Sequence, residues 1–118
     1  MHEFSVVQSL ITLTERYAKE NDAKRITKIV VVVGVLSGIE PHLLELAFEA
    51  FKEGTIAEKA ELAIEVEKLK LQCEDCLVES EKEELNITCP VCGSLNTRIK
   101  GGQELLLKSL EMECPDEA

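Results

Sequence analysis

The chain has 118 residues, enough for one ordinary domain or a small core with one further lobe, and no apolar run approaches the ~20 residues of a membrane span. Twenty-three acidic residues against 13 Lys and Arg give a formal charge of -10, which repels a phosphate backbone and argues against nucleic-acid binding. The opening residues show no basic stretch followed by a long apolar run, so no export signal is expected and a cytoplasmic location is.

From Ser5 to about Asn21, Val6, Val7, Leu10, Ile11, Leu13, Tyr17 and Ala18 recur at helical spacing, with Gln8, Glu15, Arg16 and Lys19 opposite, so an amphipathic helix is predicted. Ser5 with Gln8 three residues on reads as a capping box, which places Met1 to Glu3 outside the first turn. Ile26 to Val33 is almost continuously β-branched and ends at Gly34, as a buried strand does. Pro41 reads as the first residue of a second helix carrying Leu43, Leu44, Leu46, Ala47, Phe48 and Phe51, which stops near Gly54. All four aromatic residues, Phe4, Tyr17, Phe48 and Phe51, fall in this half, so the core is expected there. From Glu61 the pattern alternates through Leu62, Ile64 and Val66, then Leu69 and Leu71, predicting a half-exposed strand that runs into Cys73. After Gly101 and Gly102, Leu105 to Met112 reads as another strand, whose register periodicity alone does not set. The two strands flanking the cysteine segment are expected to pair. The fold class is therefore α+β: two helices packed on a small three-stranded sheet, with an inserted zinc-ribbon-like lobe of four cysteines. Residues 1–72 with 101–118 form one domain, and 73–100 the other.

The inserted segment reads Cys73-Glu-Asp-Cys76, twelve residues, then Cys89-Pro-Val-Cys92-Gly93. A two-residue gap lets both sulfurs of a turn reach one tetrahedral ion, so each pair supplies half of a zinc site. Pro90 stiffens the second turn, and Gly93 lets the backbone fold back toward the sulfurs. Disulfides would need an oxidising compartment that nothing here indicates, and Glu74 and Asp75 oppose the thiolate that a redox pair requires. Iron in four thiolates remains the alternative to zinc. The segment has no aromatic residue and few large apolar ones, so metal must replace a core. Its six acids against three bases and its lack of a stacking ring also set it apart from nucleic-acid-binding ribbons.

Met1-His2-Glu3 crowds a terminal amine, two amide nitrogens and an imidazole into a few residues. Nickel(II) favours tetragonal nitrogen and oxygen donors and can displace amide protons. Amides opening a helix have no intrahelical partner, so ligating them sacrifices no ladder bond. A bulky His2 is expected to leave Met1 in place with an easily deprotonated amine. Taken alone, a terminal histidine is more often merely solvated. His42 reads as a surface residue of the second helix, and Cys114 as a free thiol in an acidic tail.

Several stretches together resemble one family. These are the opening Met1-His-Glu-Phe-Ser-Val-Val, the run from Gly34 through Pro41 to Phe48, Glu53-Gly-Thr-Ile-Ala57, the two cysteine pairs, and the tail from Glu104 to Glu111. They are similar to the HypA/HybF hydrogenase nickel-incorporation proteins. The resemblance implies a nickel metallochaperone rather than an enzyme. It would work with a HypB-type GTPase to load the [NiFe]-hydrogenase large subunit and, in some bacteria, with urease accessory proteins. It implies transferable Ni(II) on His2 with the Met1 and Glu3 groups, Glu40 as an additional candidate ligand, and structural Zn(II) on Cys73, Cys76, Cys89 and Cys92. The competing reading is a zinc-ribbon scaffold for protein or nucleic acid that uses no nickel. Because residues 73–100 are tethered at both ends, zinc geometry and presentation of the N-terminus are expected to communicate.

Overall fold

The β-branched run from Ile26 to Val33 forms a ten-residue strand, β1 (Arg25–Gly34), around which the first of two three-stranded sheets is built. The computed structural model describes residues 2–115 of the chain. Helix α1 (Glu3–Glu20) precedes β1, and α2 (Pro41–Phe51) follows it. Then come β2 (Glu61–Glu67), β3 (Leu69–Cys73), β4 (Glu79–Lys82), β5 (Thr97–Gly101) and β6 (Leu105–Glu113). The sheet orders are β2-β1-β6 and β4-β3-β5. With the two helices, this is the expected α+β class, extended by a second sheet.

Strand β2 runs parallel to β1, with α2 in the crossover such a pair needs, while β6 returns antiparallel on the other side. The two strands expected to flank the cysteine segment and pair, the one from Glu61 and the one from Leu105, therefore do not, since β1 lies between β2 and β6; the strands that do pair across the segment are β3 and β5. The single strand expected from Glu61 into Cys73 is also two, separated at Lys68 and placed in different sheets. The apolar positions carried this sign: Leu62 and Ile64 are even, Leu69 and Leu71 odd, and a one-residue slip turns a strand over.

The core gathers Val7, Leu10, Ile11 and Ala18 of α1, Leu44, Ala47 and Phe48 of α2, and Ile29, Val31 and Val33 of β1. Ile26 joins them through a register irregularity between Ile26 and Lys28. A second irregularity leaves Lys108 without a partner on β1, so β6 directs first Leu105 and Leu107, then Leu110 and Met112, toward the core. Of the four aromatics only Phe48 is buried, contributing about 1.5–3 kcal/mol. Phe4, Tyr17 and Phe51 are exposed, Phe4 and Phe51 meeting edge to face at 5.3 Å.

Two connectors join the sheets, Lys68 alone and the three residues after Gly101, and both cross the segment that leaves β1. The Gly34 N–H donates to Glu104 O at 2.9 Å, Val35 N–H to Glu67 O at 3.0 Å, and Leu36 N–H to Gly102 O at 2.7 Å. The second sheet thus begins at Leu69 and ends at Gly101, taking in residues on both sides of the cysteine segment. The radius of gyration is 18.0 Å. A compact chain of this length would give about 13.5 Å, so the two lobes lie end to end.

Candidate metal centres

Strand β3 delivers Cys73 at its end, and the chain turns at once: Leu77 N–H bonds back to Cys73 O at 3.1 Å, and Cys73 N–H to Val78 O at 3.1 Å. The second pair repeats the geometry, with Gly93 N–H to Cys89 O and Cys89 N–H to Ser94 O, both at 2.9 Å. In each turn the residue after the second cysteine has positive φ, 76° at Gly93 and 64° at Leu77. Gly93 takes this conformation freely, whereas a leucine there costs about 1–2 kcal/mol. The strained, exposed Leu77 shows no compensating burial. Leu77→Gly is therefore expected to stabilise this turn by about 1 kcal/mol, read as slower zinc loss to a chelator.

The four sulfurs lie within 4.8 Å of one another, with Cys73 to Cys92 at 3.6 Å and Cys76 to Cys89 at 3.7 Å. Four sulfurs at the usual zinc–sulfur distance of about 2.3 Å stand about 3.8 Å apart, so the cluster fits a tetrahedral ion. The protein supplies amides as well. The Cys76 N–H points at Cys73 Sγ at 3.4 Å. The N–H groups of Cys92 and Val91 draw Cys89 down to about 6. The Ser94 N–H pulls Cys92 the same way, yet crowding by Cys73, Cys76 and Cys89 and burial push it up to about 12. Sulfurs this close cannot all ionise until a cation joins them.

Three side chains that the sequence did not single out hold this lobe. The Asp75 carboxylate accepts from Ser94 Oγ and from Asn96 Nδ2, which keeps its carboxyl below the usual range and ties the first cysteine turn to the second. From the sequence, Asp75 is only a charge opposing thiolate formation. The buried Lys82 donates to Thr88 O at 2.7 Å and to Asn86 Oδ1, pinning the loop that enters Cys89. Thr97 Oγ1 donates to Ile87 O at 2.6 Å. Leu69, Leu71, Cys73, Cys89 and Lys82 are the buried residues of this lobe, while Leu77, Leu85, Val91 and Leu95 face solvent. Hydrogen bonds and a cluster of four cysteines able to hold a metal ion stand where a hydrophobic core would be.

At the other end of the chain, α1 starts at Glu3, two residues before the expected capping box. Ser5 Oγ turns back to His2 O at 3.1 Å instead of forward to Gln8, so Ser5 lies inside the first turn. His2 occupies the cap position, exposed, with its carbonyl accepting Val6 N–H at 2.9 Å. Glu3 is 5% exposed, and its carboxylate accepts the Glu40 N–H at 3.1 Å. That bond and its own amide hold its carboxyl below the ordinary range. Glu40 in turn caps α2, its Oε2 accepting Leu43 N–H at 2.7 Å. The structure therefore brings Glu3 and Glu40 to one corner beside His2, with both carboxylates occupied. Met1 lies outside the described residues. Among the described residues, the side chains gathered closely enough to share an ion are the four cysteines. His42 is exposed on α2, and Cys114 is exposed with its Sγ 3.4 Å from Asn21 O.

A family model described as hydrogenase/urease nickel incorporation, metallochaperone, HypA matches residues 1–112. The hydrogenase maturation factor HypA of Aquifex aeolicus (strain VF5) is 70% identical over 113 residues, covering 96% of this chain and 98% of that protein. That of Shewanella oneidensis is 45% identical over 118 residues, covering both chains in full. The solution structure of the Ni metallochaperone HypA from Helicobacter pylori superposes with a TM-score of 0.71 at 41% identity, covering 98% of this chain and all of that one.

Proposed function

Because this chain belongs to the HypA family of hydrogenase/urease nickel-incorporation metallochaperones, we propose that it takes up Ni(II) at its N-terminus and hands it on during hydrogenase maturation. The ligands proposed are the His2 imidazole, the terminal amine of Met1 and the amide nitrogens of His2 and Glu3. One observation carries this reading: His2 is exposed at the open end of α1, where backbone amides have no intrahelical acceptor. Glu3 serves through its amide, because its carboxylate is committed to Glu40. Glu40 joins as a ligand only by releasing Leu43 N–H. Zn(II) is held by Cys73, Cys76, Cys89 and Cys92 and supplies the second lobe with its missing core. Partners are a HypB-type GTPase, the [NiFe]-hydrogenase large subunit and, where urease is present, its accessory proteins, all in the cytoplasm; the role is binding and transfer without catalysis. Communication between the sites would run through the segment from Gly34 to Glu40, pinned at one end by Gly102 O and at the other by Glu3.

Nickel titration of untagged protein tests this reading. His2→Ala, and separately one extra residue before Met1, are each expected to weaken nickel binding at least 100-fold while leaving one equivalent of zinc. Undiminished nickel in both variants would misplace the site, and zinc without nickel in the wild type would leave a scaffold.

Zinc uptake should depend steeply on pH. With Cys89 ionised above about 6 and Cys92 protonated up to about 12, binding at neutral pH must expel the remaining protons. Roughly two to three protons released per zinc are expected near pH 7, read by calorimetry in buffers of different ionisation enthalpy. Affinity therefore rises with pH and is lost on acidification; a release near zero would contradict the thiol assignment.

A further inference from the structure

Strand β6 is an edge: nine residues long, paired with β1 on one side and bonded to no other backbone segment on the other among the described residues. Alongside that free edge, α1 and β6 enclose a groove of about 380 Å³ walled by Val6, Leu10, Leu13, Leu105 and Leu107. A second hollow of about 300 Å³ continues the seam between Tyr17 of α1 and Leu110 and Met112 of β6. The charged residues lining these hollows and the depression beside them are Lys108 and Arg16. Lys108 is neutralised from the other side by Glu65, whose two carboxylate oxygens each stand 2.9 Å from its Nζ, which leaves Arg16 as the uncommitted charge of the seam. In a chain of net charge -10, this seam is apolar and carries one uncommitted cation.

An unpaired strand edge offers a ladder of amides and carbonyls, and hollows spaced along it take alternate side chains of an added strand. We infer that the α1–β6 seam binds an extended segment of a partner protein as a fourth strand on β6, its alternate apolar side chains filling the two hollows and an acidic one reaching Arg16. The stretch from Leu105 to Met112 sets the footprint at seven or eight residues, roughly 23–27 Å. Arg16 selects the occupant, since it makes no ion pair among the described residues and stands 5.6 Å from the Tyr17 ring centre. A second copy of this chain is disfavoured, because each copy brings a charge of -10 against the other. The groove opens at Ser5, whose hydroxyl bonds the His2 carbonyl, so a docked partner is held beside the N-terminus. That last point, docking for metal transfer, rests on the nickel reading above; the peptide site itself does not.

The test is to pan a display library of random twelve-residue peptides against the full zinc-loaded chain, synthesise the most enriched peptide, and follow its binding by fluorescence anisotropy and amide NMR shifts. Period-two apolar sequences carrying Asp or Glu are expected, with shifts concentrated on β6 and α1. Binding should weaken at least tenfold when alternate peptide amides are N-methylated, and likewise in the exposed-site variants Ser9→Glu and Arg16→Glu. Nickel uptake in both variants should match wild type. No enriched peptide, enriched peptides without the period-two pattern, shifts elsewhere, insensitivity to N-methylation, or a dimer formed through β6 would each overturn the inference. Absence of nickel uptake by the wild type would instead overturn the reading it builds on, leaving the peptide results to decide the seam.

Discussion

Removing the zinc proposed for the four cysteines, or replacing Cys73 and Cys76 by Ser, is expected to unfold residues 69–101 while both helices and the β2-β1-β6 sheet persist. The second lobe buries only Leu69, Leu71, two cysteines and a lysine, too little apolar area to offset the entropy of ordering some thirty residues. Structural zinc supplies on the order of 10 kcal/mol in small domains of this kind, so its loss is decisive there. The first lobe has its own core, and converting the segment between β2 and β6 into a flexible loop costs it only the logarithmic closure term. Amide NMR checks this: signals from β3, β4 and β5 should collapse to unfolded positions while those of α1, β1 and α2 remain. Loss of the whole spectrum, or no change, would show that the lobes are not separately held.

Gly34→Ala is expected to destabilise the protein by about 3 kcal/mol or more, the scale of forced overpacking against rigid atoms. A Cβ at Gly34 would lie 2.3 Å from the carbonyl carbon and oxygen of Gly102 and 2.8 Å from Gln103 N, all backbone. Gly102 is itself tightly placed, at φ +93, where a Cβ would meet Lys68 O at 2.8 Å and Leu69 Cα at 3.1 Å. Gly38→Ala is the control: its φ is +79 but nothing lies within 4 Å of the added carbon, so only the conformational cost of about 1 kcal/mol applies. Urea unfolding of the two variants should separate them clearly, and equal costs would mean that the crossing of the connectors is loose.

Side-chain pattern made the helices, β1 and the four-cysteine cluster legible, because periodicity and ligand spacing are local properties. What stayed hidden depends on contacts distant in sequence. Glu3 stands out in the sequence only as part of a candidate nickel ligand set, and its burial depends on Glu40, 37 residues away, whose N–H its carboxylate accepts. Lys82 counts in the sequence only as one of three bases among six acids, and its burial depends on the Thr88 carbonyl that it reaches at 2.7 Å. Leu77 could have been found, since it holds the place after the second cysteine that Gly93 holds in the other turn. The second sheet was also within reach, in the even-to-odd slip between Ile64 and Leu69. The register of β6 was not, because it depends on an irregularity against β1 at Lys108.

The most direct test of the account is X-ray absorption at the nickel edge on untagged protein loaded with one equivalent each of zinc and nickel. A shell of nitrogen and oxygen donors with one imidazole, lost in His2→Ala, is the result expected. A sulfur-rich shell that survives in His2→Ala would place nickel among the cysteines and contradict it.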